Sequence, residues 1–230
     1  LVGGLAGDAI TTASNNSIYG SGAGGSITTA PHNVAIGYAA LHSATDQGYN
    51  VAIGSTALYS TVNGGKAVAV GYKALNAMNP SSDTDTYNIA IGYEAGKAVT
   101  TGIRNVIIGG LATQQAGADA YNVAVGHNAG YSVTTGVRNT ILGGSCGEAL
   151  TTGEKNVLVG YAAGNAITVA DFNVAVGESA LITNILSNKN VAIGKSALAT
   201  HNLGSAGDGY NVAIGYNAGL SVTTGDTNTL

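Results

Sequence analysis

The pentapeptide Asn-Val-Ala-Ile-Gly, first at Asn33 and again at Asn50, returns along this chain at a nearly fixed interval. Variants of it begin at Asn88, Asn105, Asn122, Asn139, Asn156, Asn173, Asn190 and Asn211. The step is 17 residues and lengthens to 21 only over 67–87 and 190–210. A fixed period of this size marks an architecture in which each repeat is one rung of a stack. Residues 1–230 therefore read as a single repeat array of about thirteen coils. The sequence opens at position three of a unit with Leu1 and stops at position three with Leu230, so it is expected to be an excerpt from a longer array.

Composition supports a stack over an ordinary globule. There are 36 glycines, no tryptophan, one phenylalanine and only 9% charged residues, against about 25% in a typical domain. Disorder is a poor reading, because 45% of residues are apolar and recur at set positions. A net charge of −4 offers no basic face for nucleic acid. No run of about 18 apolar residues encodes a membrane span, and no charged-then-apolar leader opens the chain. Cys146 is the only cysteine, so no intrachain disulfide forms, and its place in an alanine column reads as a small buried filler.

Counting the recurrent Asn as position one, positions two and four are Val, Ile, Leu or Thr, and position three is usually Ala, as in Val34-Ala35-Ile36. This period-two run between Asn and Gly reads as a short strand, and the fold class as an all-β parallel β-solenoid. The large residues are expected to face the coil interior and the Ala row to face outward or toward another chain. Asn and Gly both tolerate left-handed backbone, so Asn33, Gly37, Asn50, Gly54, Asn88, Gly92, Asn122, Gly126, Asn211 and Gly215 are read as structural corners. Stacked Asn side chains are also placed to hydrogen-bond in a ladder.

The second half of the unit has two dialects. One carries Gly at position nine and a large aliphatic at twelve (Val99, Val133, Leu150, Ile167, Val222); the other carries Leu at nine (Leu41, Leu58, Leu75, Leu181, Leu198). In the second, position twelve is small or polar (Ala44, Thr61, Asn184, His201), with Met78 the exception. Each coil thus has room for one large plug, supplied from either place, because overfilling and voids both cost stability. The unit at Asn105 supplies neither plug, with Thr113 and Ala116, and is expected to pack irregularly.

The Asn-Val-Ala-Ile-Gly-Tyr units with their Thr-Thr-Gly tails (Thr100-Thr101-Gly102, Thr134-Thr135-Gly136, Thr151-Thr152-Gly153, Thr223-Thr224-Gly225) resemble the head repeats of trimeric autotransporter adhesins. They are more similar still to the repeats of bacteriophage tail fibres, in period and in tail. The resemblance implies a left-handed β-roll assembled as a homotrimer. It implies a structural shaft of a tail fibre, located in the virion, that supports adhesion to a host cell surface; the alternative is the head of a trimeric adhesin on a bacterial outer surface. Nothing resembling the self-cleaving chaperone domain of such fibres is present.

Position seventeen, just before the Asn, holds His32, Tyr49, Lys66, Tyr87, Arg104, Tyr121, Arg138, Lys155, Phe172, Lys189 and Tyr210, including five of the eight Lys and Arg residues. Stacking turns it into a stripe of rings and cations. It is the candidate contact line for a cell-surface glycan, weighed against a corner where neighbours stack on one another. A second tyrosine row groups Tyr19, Tyr38, Tyr72, Tyr93, Tyr161 and Tyr216 at position six. The 21-residue units carry their extra residues in polar loops at 80–85 and 204–209, where Asp83 and Asp85 are too few for a calcium loop. No metal-ligand spacing, phosphate loop or nucleophile elbow appears, so the chain reads as a non-enzyme without cofactor or metal. A polysaccharide-cleaving tailspike would need paired acids in a groove. Ice binding, raised by the Thr-Thr pairs, is the remaining alternative.

Overall fold

A computed structural model describes residues 2–113 and 120–230. No helix occurs among the described residues. They divide into two compact units, Leu1–Ala120 and Tyr121–Leu230. The first carries strands β1 (Ser17–Tyr19), β2 (Val34–Ile36), β3 (Val51–Ile53), β4 (Gly64–Gly65), β5 (Val68–Val70), β6 (Thr84–Asp85), β7 (Ile89–Ile91) and β8 (Val106–Ile108). The second carries β9 (Val123–Val125), β10 (Thr140–Leu142), β11 (Val157–Val159), β12 (Val174–Val176), β13 (Ser187–Asn188), β14 (Val191–Ile193), β15 (Gly207–Asp208) and β16 (Val212–Ile214).

Within each unit the repeat strands pair in parallel, each with the next repeat in sequence and in identical register. Val34 lies beside Val51, Ala35 beside Ala52 and Ile36 beside Ile53; Val157, Leu158 and Val159 lie beside Val174, Ala175 and Val176. Each unit is thus a parallel β-solenoid in which like positions form columns. The extra residues of the two long coils are accommodated by short parallel pairs, β4 with β6 and β13 with β15. The expected polar loops at 80–85 and 204–209 are therefore partly strand.

The expected sense of the strand is reversed. Position three points inward: Ala35, Ala52, Ala69 and Ala90 in the first unit and Ala124, Ala175, Ala192 and Ala213 in the second are fully buried. The flanking aliphatics point out, with Ile36 39% exposed, Leu142 45% and Ile214 61%. Alternation requires the middle residue of three to oppose its neighbours. The coil is thin, and its interior already holds the plug, the position-eight Ala and the Asn side chain. Tyr19 also proves to lie at position four, beside Ile36, rather than in the position-six row.

Plug exchange between positions nine and twelve is present, but position three is a third donor and several coils bury two large side chains rather than the one expected, as with Leu75 and Met78 or Ile141 and Leu150. Leu158 and Ile167 fill one coil over Gly164, where an added Cβ would lie 2.8 Å from Leu158 and 2.9 Å from Ile167. Whenever position nine is Leu, position three is Ala, as in Leu41 with Ala35 and Leu198 with Ala192. The Asn105 unit, expected to lack a plug, supplies one from position three. Ile107 is fully buried, and its Cδ1 would lie 3.0 Å from a Cβ on Gly96 of the preceding coil. Thr113 is buried, while Ala116 lies outside the described residues.

The corners also differ from expectation. The recurrent Asn residues do not adopt positive φ; the left-handed residues are those at positions seven, nine and seventeen, such as Ser179 at 59°, Leu181 at 51° and Lys189 at 57°. Each such side chain costs about 1 kcal/mol of backbone strain, which the surrounding ladder must offset. Position five is different. Gly160 has φ of 133°, and a Cβ there would meet the carbonyl carbon and oxygen of Gly177 at 2.6 Å. Both the dihedral and the backbone-on-backbone approach exclude a side chain. Gly160→Ala is expected to destabilise the second unit by at least about 3 kcal/mol, read as a lowered urea midpoint. Gly144→Ala, one residue past a Gly of this column and facing only a tyrosine ring at 3.5 Å, is expected to change stability by less than about 0.5 kcal/mol.

Candidate functional site

The Asn at position one is buried in each repeat that has it from Asn33 to Asn211, and half-buried at Asn16 and Asn228. Its amide completes its own coil and starts the next. In the second unit, Asn156 Nδ2 donates to the Ala170 carbonyl 14 residues on, at 2.9 Å, and to Asn139 Oδ1 at 3.1 Å. Its Oδ1 accepts the backbone N–H of Asn173 at 2.9 Å and the Nδ2 of Asn173 at 3.3 Å. The Oδ1-to-N–H link runs from Asn122 through Asn139, Asn156, Asn173, Asn190, Asn211 and Asn228, and the bond 14 residues forward recurs at Asn122, Asn139 and Asn211. In the first unit Asn50 Oδ1 accepts the N–H of Ala67 at 3.0 Å, where the Asn is missing. There Met78 Sδ takes a contact from Asn88 Nδ2 at 3.5 Å. The expected Asn ladder is present and is structural.

Position seventeen forms the expected column. Its residues are exposed, and their left-handed backbones send the N–H to the preceding coil. Lys155 N–H donates to the Val137 carbonyl at 3.0 Å, Phe172 to Glu154 at 3.1 Å and Lys189 to Asp171 at 3.1 Å. Side chains then stack between coils. His32 lies on Tyr49 at 5.0 Å between ring centroids and 20° between planes. The ammonium groups of Lys66, Lys155 and Lys189 stand 5.4, 4.8 and 5.1 Å over the rings of Tyr87, Phe172 and Tyr210. Tyr49, Tyr121, Arg104 and Arg138 occupy equivalent exposed corners. These contacts cover one face of each paired ring. Such pairs contribute about 0.5–1 kcal/mol each.

At each long coil the column gains a carboxylate. Lys66 Nζ lies 2.6 Å from Asp85 Oδ2 and 3.4 Å from Tyr87 Oη. Lys189 Nζ lies 2.7 Å from Asp208 Oδ2 and 3.1 Å from Tyr210 Oη, whose O–H donates to the same Asp208 oxygen at 2.8 Å. The lysine beside it holds the Asp208 carboxyl below its ordinary value, and the aspartates hold Lys66 and Lys189 above theirs. The acids are matched with lysines, as also in Lys97–Glu94 and Lys195–Glu178. Among the described residues no group of three or more His, Cys, Asp or Glu is placed to hold a metal.

Cys146 is buried as expected. Burial pushes its thiol up to about 12, and its Sγ donates weakly to the Ala163 carbonyl at 3.4 Å. The Thr row at position thirteen turns its hydroxyls along the stack, as in Thr134 to the Thr151 carbonyl at 3.2 Å and Thr151 to Thr168 at 3.0 Å. This removes one Thr of each pair from any outward face. One feature escaped the sequence reading: Ser187 Oγ lies 3.0 Å from His201 Nε2, both fully buried. Ser187 stands where the corresponding coil of the first unit has Gly64, which is the only signal the sequence held for it.

Comparisons with protein-family models, with curated proteins and with solved structures gave no match to this chain.

Two outcomes are expected from the site geometry. Asn156→Asp keeps the shape but loses the two Nδ2 donors and buries a carboxylate, so it is expected to cost roughly 2–4 kcal/mol at pH 7. Part of that loss should return at pH 4, where the protonated carboxyl donates again, as read from urea unfolding at the two pH values. Lys155→Ala removes one cation over Phe172 and is expected to cost under about 1 kcal/mol, with unchanged circular dichroism.

Proposed function

We propose that this chain is a structural shaft segment of a trimeric bacteriophage tail fibre, carried in the virion and supporting adhesion to a host cell surface. The observation that carries this reading is the outer face of the parallel sheet. Parallel sheets are ordinarily covered on both faces. Here one face packs on the coil interior and the other presents aliphatic rows, Ile36, Ile53, Ile89 and Ile91 in the first unit and Val123, Leu142, Val157, Ile193 and Ile214 in the second. A contiguous apolar surface of this kind marks an association site. Identical copies meeting about a symmetry axis cover it without a second partner. The exposed Tyr38, Tyr93 and Tyr161 follow directly after the sheet at position six, an amphipathic edge suited to the rim of such an interface.

In this reading the adhesive contribution of the segment is reach and repetition rather than one strong pocket. The position-seventeen column offers hydroxyls, ammonium groups and ring edges to a glycan at each rung, and three chains multiply weak contacts.

Light scattering on the 230-residue chain is expected to give a mass near three chains. The double substitution Val157→Lys and Ile193→Lys is expected to reduce it to one chain while β-sheet circular dichroism persists. A wild-type mass of one chain at tens of micromolar would remove the trimer. Immunogold labelling then separates hosts: label on the fibres of purified virions supports the phage assignment, whereas label confined to intact bacterial cells transfers the chain to a surface adhesin.

A further inference from the structure

The two long coils follow one plan. Aligned on Lys66 and Lys189, they share Leu75 with Leu198, Asn79 with Asn202, Asp85 with Asp208 and Tyr87 with Tyr210. They differ in the core. Position twelve is Met78 in the first and His201 in the second, both fully buried. The preceding coil meets Met78 with Gly64, where a Cβ would lie 2.8 Å from the Met78 methyl. It meets His201 with the Ser187 hydroxyl at 3.0 Å. One coil has an inert plug with room made for it, and the other a titratable plug with a hydrogen-bond partner.

We propose that Ser187 and His201 form an acid-sensitive latch in the second unit: the neutral imidazole holds coil 190–210 against its neighbours, and a protonated one releases it. Ser187 Oγ accepts from Asn190 Nδ2 at 3.0 Å, which leaves its O–H to donate to His201 Nε2. Asn211 Nδ2 approaches the same nitrogen at 3.4 Å. With the Ser187 O–H donating to Nε2, the neutral ring carries its proton on Nδ1. A second proton on Nε2 would end its acceptance from Ser187, face the Asn211 N–H, and require the Ser187 hydroxyl to turn and accept around a charge held in a buried site.

Nothing compensates such a charge. The other ionisable groups of the three coils involved are Glu178, Lys189, Lys195, Asp208, Tyr210, Tyr216 and Asp226. Lys195 pairs with Glu178, and Lys189 with Asp208 and Tyr210; Tyr216 and Asp226 are exposed. Nδ1 has no well-formed hydrogen bond, and the Thr223 backbone is the one group favouring protonation. Burial is the larger influence and holds the ring below its ordinary value of 6.5. Above about pH 6.5 the ring is neutral whether folded or unfolded, and the latch is intact. As pH falls, the unfolded state takes the proton while the folded state refuses it, so stability is lost on the acid side.

Amide hydrogen exchange on the full chain at pH 7.5 and pH 5.0, corrected for the intrinsic chemical rate, tests this. Peptides over 187–211 are expected to exchange at least tenfold faster at the lower pH, and those over 64–88 to change little. His201→Met, the choice made by the first long coil, is expected to abolish the acid effect. Equal acceleration in both long coils, no acceleration in 187–211, or an undiminished effect in His201→Met would overturn the proposal. If the variant does not fold, the contrast between the two wild-type coils decides.

Discussion

The fold depends on an amide placed where a coil must close. A coil of 17 residues has three left-handed corners and strands only three residues long, so its own backbone supplies little to fix its outline. The Asn side chain supplies it. In the second unit, Asn139 Nδ2 reaches 14 residues forward to the Gly153 carbonyl, and its Oδ1 receives the first N–H of the following coil. One residue therefore sets both the circumference of a rung and its register on the next. Buried amide groups left unpaired are costly, so a register slip would orphan every Asn on that side at once. The column turns a short repeat into a cooperative stack.

Given that frame, the core is a matter of volume. Positions three, nine and twelve converge on one space, and the sequence fills it from whichever is free. Leu181 does so with Ala175 beneath it, Ile167 and Leu158 share it over Gly164, and Ile107 does so alone where positions nine and twelve are small. The choice has a backbone side too. Position nine is left-handed in both dialects, at 51° for Leu181 and 56° for Gly164, so Leu there combines a plug with strain that Gly avoids.

Much of this was legible in the residues. The 17-residue period predicts parallel rungs in register, and the Asn ladder, the plug exchange and the stacked column at position seventeen follow from it. Orientation did not follow. Alternation in Val-Ala-Ile states which side chains share a face but not which face is inside, and the usual preference for burying the larger residues pointed the wrong way. The interior of so small a coil has no room for Val34 and Ile36 together; it takes Ala35. The Ser187–His201 contact was equally hidden, because the two residues lie 14 apart and meet only through the close approach of two coils.

Placing Ala inside changes what the outer face must do. Had the aliphatics filled the coil, each unit would present a methyl-lined strip with little to gain from association. With Val and Ile outside, the apolar area of the strand becomes available for burial against another chain, at about 25 cal/mol per Å² removed from water. A parallel sheet bare on one side is half of a layered structure. The polar column at position seventeen lies outside this row, with its cations and rings already matched to each other between rungs. The repeat thereby separates its two surfaces, one carrying exposed apolar area and the other carrying charges that neighbouring coils satisfy. That separation, written in every 17 residues, suits a filament whose chains pack along one face and meet their surroundings along another.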